Sequence, residues 1–84
     1  MARMTRFHRR SIPRLKWRQV RADHFKAEPL PGYVFRVVKN PGGVGWLYYL
    51  PGRDAEATAM EGVAQFHCEE WWREAFADLL DAQA

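Results

Sequence analysis

Nine cations fall within the first 26 residues of this 84-residue sequence: Arg3, Arg6, Arg9, Arg10, Arg14, Lys16, Arg18, Arg21 and Lys26. A single acid, Asp23, stands against them. Guanidinium forks grip phosphates and carboxylates bidentately, so this density points to binding chemistry, with nucleic acid or an acidic protein surface as the target. On nucleic acid, counterion release would make the affinity salt-dependent. Phe7 and Trp17 lie among the charges and offer rings on which bases stack, although Trp17 also suits a core anchor. A solubilising tail with weak affinity for polyanions is the plain alternative. The expected contact residues are Arg9, Arg10, Arg14, Lys16, Arg18 and Arg21 for charge, with Tyr49 and Trp72 for apolar contact.

Little else in the chain suggests reactivity. His67 and Cys68 are neighbours, but adjacent helical positions do not face one another, so they make a poor nucleophile–base pair. On an apolar stripe His67 reads as a packed core histidine. Ser11 is the only serine. Cys68 with His8, His24 and His67 lacks the paired spacing of a zinc site. Asn40-Pro41-Gly42-Gly43-Val44-Gly45 is glycine-rich, yet it joins two apolar runs and lacks the Lys-Ser/Thr and following helix of a phosphate loop. The sequence therefore predicts no enzyme, no catalytic residue, no cofactor and no metal.

The elements that must hold these residues come from a small chain. At this length only ~60–65% of the unfolded surface becomes buried, which allows one thin core. One cysteine cannot form an internal disulfide, and no apolar run approaches the roughly 20 residues that span a bilayer. The net charge of +3 is an average of opposites: the part through Lys26 carries +8 and the remainder −5. Such asymmetry marks an interaction arm on a folded body. Residues 1–13 lack periodic apolar positions and contain Pro13, so they are expected to form a flexible basic arm. They lack the apolar core of a secretory signal, though their Arg-rich, acid-free composition is also that of a transit peptide.

From Leu15 an alternating pattern through Val20 predicts a strand, with Phe25 and Ala27 extending it past a break near Asp23. Glu28-Pro29-Leu30-Pro31-Gly32 is a turn. In Tyr33–Lys39, Tyr33, Phe35 and Val37 share one face while Val34, Arg36 and Val38 share the other. After the glycine-rich loop, Gly45–Leu50 returns antiparallel, with Trp46, Tyr48 and Leu50 on one face and Leu47 and Tyr49 on the other. Thr58-x-x-Glu61 has capping-box spacing. It opens a helix whose stripe comprises Met60, Val63, Ala64, His67, Cys68, Trp71, Ala75 and Leu79, widened by Trp72 and Phe76, and which ends near Leu80 or Asp81. Of the pair Trp71-Trp72, Trp72 is expected to be the more exposed. Glu61, Glu69, Glu70, Glu74, Asp78 and Asp81 lie mostly outside the stripe. They suit a solvated face, a phosphate mimic, or a clasp for the basic arm of the same or a second copy.

The fold expected is α+β, a three-stranded antiparallel sheet with one C-terminal helix packed on one face. It comprises a basic N-terminal arm (1–13) and a single βββα domain (14–84).

Over residues 15–80 the sequence resembles small phage and prophage accessory proteins. The resemblance rests on Trp17, Phe25-Lys26-Ala27, Tyr33-Val34-Phe35, Gly45-Trp46-Leu47-Tyr48-Tyr49, and the run from Met60-Glu61-Gly62-Val63 through Trp71 to Leu79. The Trp71-Trp72 pair departs from the lighter helix of that pattern. The resemblance implies a non-enzymatic protein of the bacterial cytoplasm that binds a host protein or nucleoprotein complex. Inhibitors of host defence, including CRISPR–Cas inhibitors, are one such group. A direct DNA- or RNA-binding regulator using the basic segment is the alternative, and a homodimer or virion component assembled through the aromatic sheet face is a third. No membrane partner is expected.

Overall fold

A computed structural model describes residues 12–83. The sheet has five strands, β1 (Arg18–Arg21), β2 (His24–Ala27), β3 (Phe35–Lys39), β4 (Trp46–Tyr49) and β5 (Glu56–Thr58), followed by the helix α1 (Glu61–Gln83). Neighbours in sequence are neighbours in the sheet, and every pairing is antiparallel. The α+β class with one C-terminal helix holds; the expected count of three strands is corrected to five.

Two local events account for the added strands. The break near Asp23 is a reversal: Ala22 and Asp23 form a turn, and β1 folds back on β2 with an irregularity between Gln19 and Arg21. The Gln19 side chain donates to the Ala22 carbonyl at 3.1 Å and steadies the turn. At the other edge, residues 56–58 pair with Trp46–Tyr48 through backbone bonds. Thr58 therefore belongs to β5 and is not a helix cap. The helix begins at Glu61, its first turn closed by the Ala64 amide on the Met60 carbonyl at 3.1 Å, and it runs past Asp81 to Gln83.

The β3–β4 connection is longer than two residues, as its sequence predicts. Asn40 ties it: its side-chain oxygen accepts from the Gly42 amide at 2.9 Å, and its side-chain nitrogen donates to the Val44 carbonyl at 3.2 Å. Gly45, at φ +92°, closes the loop against β5, where a Cβ would lie 2.6 Å from the Thr58 carbonyl oxygen.

The core lies between one sheet face and α1. Phe35 and Val37 are fully buried, joined by Ala27, Tyr48, Ala64 and Cys68. Phe35 meets both Trp71 and Trp72 edge-on, at 5.7 and 6.2 Å between ring centroids. Each large side chain buried here contributes roughly 1.5–3 kcal/mol.

The helix is rotated relative to the stripe its spacing predicts. Met60 (63% exposed) and Val63 (38%) point outward, and His67 is exposed with its ring stacked on Tyr48 at 5.1 Å. The expectations of core positions for Met60 and His67 are therefore corrected. Trp72 is 3% exposed, which overturns its assignment as the outer tryptophan; Trp71 is the half-buried one. The cause lies at the start of the described chain. Ile12 and Leu15 are buried along the flank of α1, and the Trp72 indole donates to the Pro13 carbonyl at 3.1 Å. The end of the segment read as an arm thus belongs to the core.

Glu69 is buried too, contrary to its reading as a solvated acid. Its carboxylate accepts from the Leu15 amide at 3.1 Å and from the Trp17 indole at 3.2 Å. Among the described residues no helix is long and apolar enough to cross a membrane.

Candidate nucleic-acid interface

Because side chains alternate along a strand, α1 covers only the face that bears Phe35, Val37 and Tyr48. No described element lies over the other face, where the register places two rows of side chains across the sheet. In one, Arg18 stands opposite Lys26, Lys26 opposite Arg36, and Arg36 opposite Tyr49. In the other, His24 stands opposite Val38, Val38 opposite Leu47, and Leu47 opposite Ala57. Arg21 pairs with His24 at the β1 edge.

Adjacent strands lie about 4.8 Å apart, so three cations stand side by side. Like charges directly opposite one another destabilise a sheet. Glu28 lies 3.9 Å from the Lys26 ammonium, and a surface pair of that length contributes little. Between the two rows, Arg36 Nη1 lies 3.1 Å from His24 Nε2. Burial, and then the charges of Arg36, Arg21 and Lys26, hold the His24 imidazole below its ordinary value of 6.5. A neutral ring that accepts from a guanidinium is how this cluster limits its own repulsion.

The expected contact residues separate in space. Arg18, Arg21 and Tyr49 share this open face. Lys16 is exposed and lines a shallow cleft with Arg18, Lys26 and Glu28 at its margin. Arg14 lies instead on the helix flank, its Nε 4.0 Å from the Glu69 carboxylate. Trp72 is in the core and offers no contact surface. Arg9 and Arg10 lie outside the described residues. The register adds three that the expected contact residues did not include, His24, Lys26 and Arg36. The alternation that puts Val34, Arg36 and Val38 on one face was the signal that could have found Arg36.

The opposite side of the molecule has the opposite sign. A groove between α1 and the β4–β5 edge is lined by Tyr48, Trp71, Glu56, Glu70, Glu74 and Asp78, with Arg53 at its border. Tyr48 donates to Glu56 at 3.5 Å, and burial followed by the Glu56 charge raises its phenol above the ordinary value. Cys68 is fully buried, and burial pushes its thiol up to about 12, so it carries no thiolate at neutral pH. Among the described residues no group of three or more His, Cys, Asp or Glu side chains is placed to hold a metal ion.

Comparison with protein-family models, curated proteins and solved structures finds no match to this chain.

Proposed function

We propose that this protein binds nucleic acid, without catalysing a reaction, through the sheet face that α1 leaves open. The observation that supports the reading is the row Arg18, Lys26, Arg36 and Tyr49. Three adjacent cations cost folding stability, and a polyphosphate backbone offsets that cost on binding. The basic residues at 3, 6, 9 and 10 add to the same positive end of the sequence. The test is a salt titration of binding to DNA and RNA. With three to five phosphates neutralised, log affinity falls against log salt with a slope of about −2 to −4. Replacing Lys26 and Arg36 together by Gln lowers the slope by about 1 to 2. Absence of binding to either polymer at low salt overturns the proposal.

A second reading is favoured by the opposed charges of the two sides. An accessory protein of a phage or other mobile element would engage a host nucleoprotein complex, the basic sheet meeting its nucleic acid and the acidic groove a basic protein surface. Inhibition of a host defence system is the sharpest form of that idea. Affinity purification with and without nuclease separates the two: a specific protein partner retained after nuclease supports the second, and its loss supports direct nucleic-acid binding.

A further inference from the structure

Resting on the reading of the open face as a nucleic-acid interface, we infer that the form it takes is a single strand with its bases turned onto the sheet. The two rows differ in chemistry. The first presents three positive charges and ends on Tyr49; the second is apolar beyond His24, with Val38 and Leu47. Val38, Leu47 and Tyr49 are all half-buried within the sheet, and no described element covers them.

A duplex lying on such a surface shows it phosphates and sugars, because its bases are stacked inside and their edges are reached only from a groove. The cationic row would have a partner and the apolar row would have none. A single strand shows both at once: phosphates for Arg18, Lys26 and Arg36, and unstacked bases for the Tyr49 ring and its apolar neighbours. His24 is held neutral and adds a second flat ring next to Arg36.

The dimensions agree. Three strand intervals of about 4.8 Å separate Arg18 from Tyr49, roughly 14 Å in all, which suits a short stretch of polymer crossing the β-strands. At one end the apolar row opens into a cleft lined by Arg21, Asp23, His24, Val38, Lys39 and Asn40, two cations against one acid. There an apolar wall and two cations meet a base and its phosphate together.

The test compares three labelled or competing polyanions on the full chain at one low salt concentration: a single-stranded oligonucleotide, a duplex of equal length, and inorganic polyphosphate, which has charge but no bases. The expected order is single strand tightest by about tenfold or more. Tyr49→Leu keeps an apolar side chain in β4 and removes the stacking ring. It is expected to weaken single-strand binding about fivefold or more while moving polyphosphate binding less than twofold. Far-UV circular dichroism establishes that the variant is folded, and Tyr49→Phe, which retains the ring, restores single-strand affinity. Equal affinity for the three ligands, or an equal loss for all three in Tyr49→Leu, overturns the single-strand inference and leaves the interface standing. Failure of the wild-type chain to bind any of them overturns both.

Discussion

Arg36 donates to His24 across 3.1 Å, and only an unprotonated imidazole nitrogen accepts that bond. Two positively charged partners would repel instead, with Arg21 and Lys26 adding to the field. The folded chain therefore binds a proton at His24 less readily than the unfolded chain does. The stability tied to the neutral ring is fully present above the ordinary value of 6.5 and is lost as pH falls from there toward the lower folded value. Urea midpoints are expected to fall between pH 7.5 and 5.5, with a smaller fall in His24→Asn. A bound phosphate counters the same field and favours the protonated ring, so nucleic-acid binding is expected to take up protons and tighten as the solution is acidified.

Glu69 holds the first described residues onto the helix by accepting two bonds, one buried and one partly buried. Glu69→Ala leaves the Leu15 amide and the Trp17 indole without an acceptor, at ~1–3 kcal/mol for each stranded group. The expected loss is about 2–4 kcal/mol by chemical denaturation. Glu69→Gln, which keeps one acceptor oxygen, should lose less. A change below about 1 kcal/mol for alanine would show that the segment is held by other contacts.

Trp72 combines burial, a stack on Phe76 at 4.8 Å and the bond to Pro13. Trp72→Phe keeps an aromatic ring and removes the donor, for about 1–2 kcal/mol. Trp72→Ala opens a cavity worth roughly 3–5 kcal/mol, a large share of the total stability of a small domain. Because the side chain faces away from the open sheet face, the Phe variant is expected to bind nucleic acid as tightly as the wild type.

Gly45 is the position where a methyl group is least tolerated. Its φ of +92° and the 2.6 Å approach of the Thr58 carbonyl oxygen make both backbone and space restrictive. Gly45→Ala is expected to cost about 2 kcal/mol or more and to raise amide exchange selectively in β5. Gly32→Ala, at φ +89° with nothing within 4 Å, carries the backbone strain alone and serves as the control.

Cys68, fully buried and with its thiol at about 12, should resist a thiol-specific alkylating reagent at pH 7.5. Its labelling rate is expected to follow the unfolded fraction as urea is added. Rapid labelling without denaturant would place the thiol outside the core.

Much of the fold was legible where a pattern is local. Alternation marks β3 and β4, Asn40 through Gly45 marks their loop, and the i, i+3, i+4 spacing marks α1. The losses share a cause in long-range contact. Ala22-Asp23 turns the chain without glycine or proline, so β1 and β2 read as one interrupted strand. Glu56-Ala57-Thr58 has no apolar alternation and is a strand because Trp46–Tyr48 offers its backbone a partner. Trp71 and Trp72 differ by about 100° around the helix, and what selects Trp72 for burial is Pro13, 59 residues away. The same limit applies to the interface. A linear charge count assigns Arg36 to the acidic part of the chain, whereas the β2–β3 register sets it beside Lys26.

The consecutive strand order leaves β1 as an outer strand, and all four of its residues are exposed. An unpaired outer strand is a template on which a second chain can extend the sheet. Here it is four residues long, interrupted by a bulge, and carries Arg18 and Arg21. Each of these features discourages edge-to-edge stacking. The arginines that give the sheet its positive face thus also guard its margin against amyloid-like assembly.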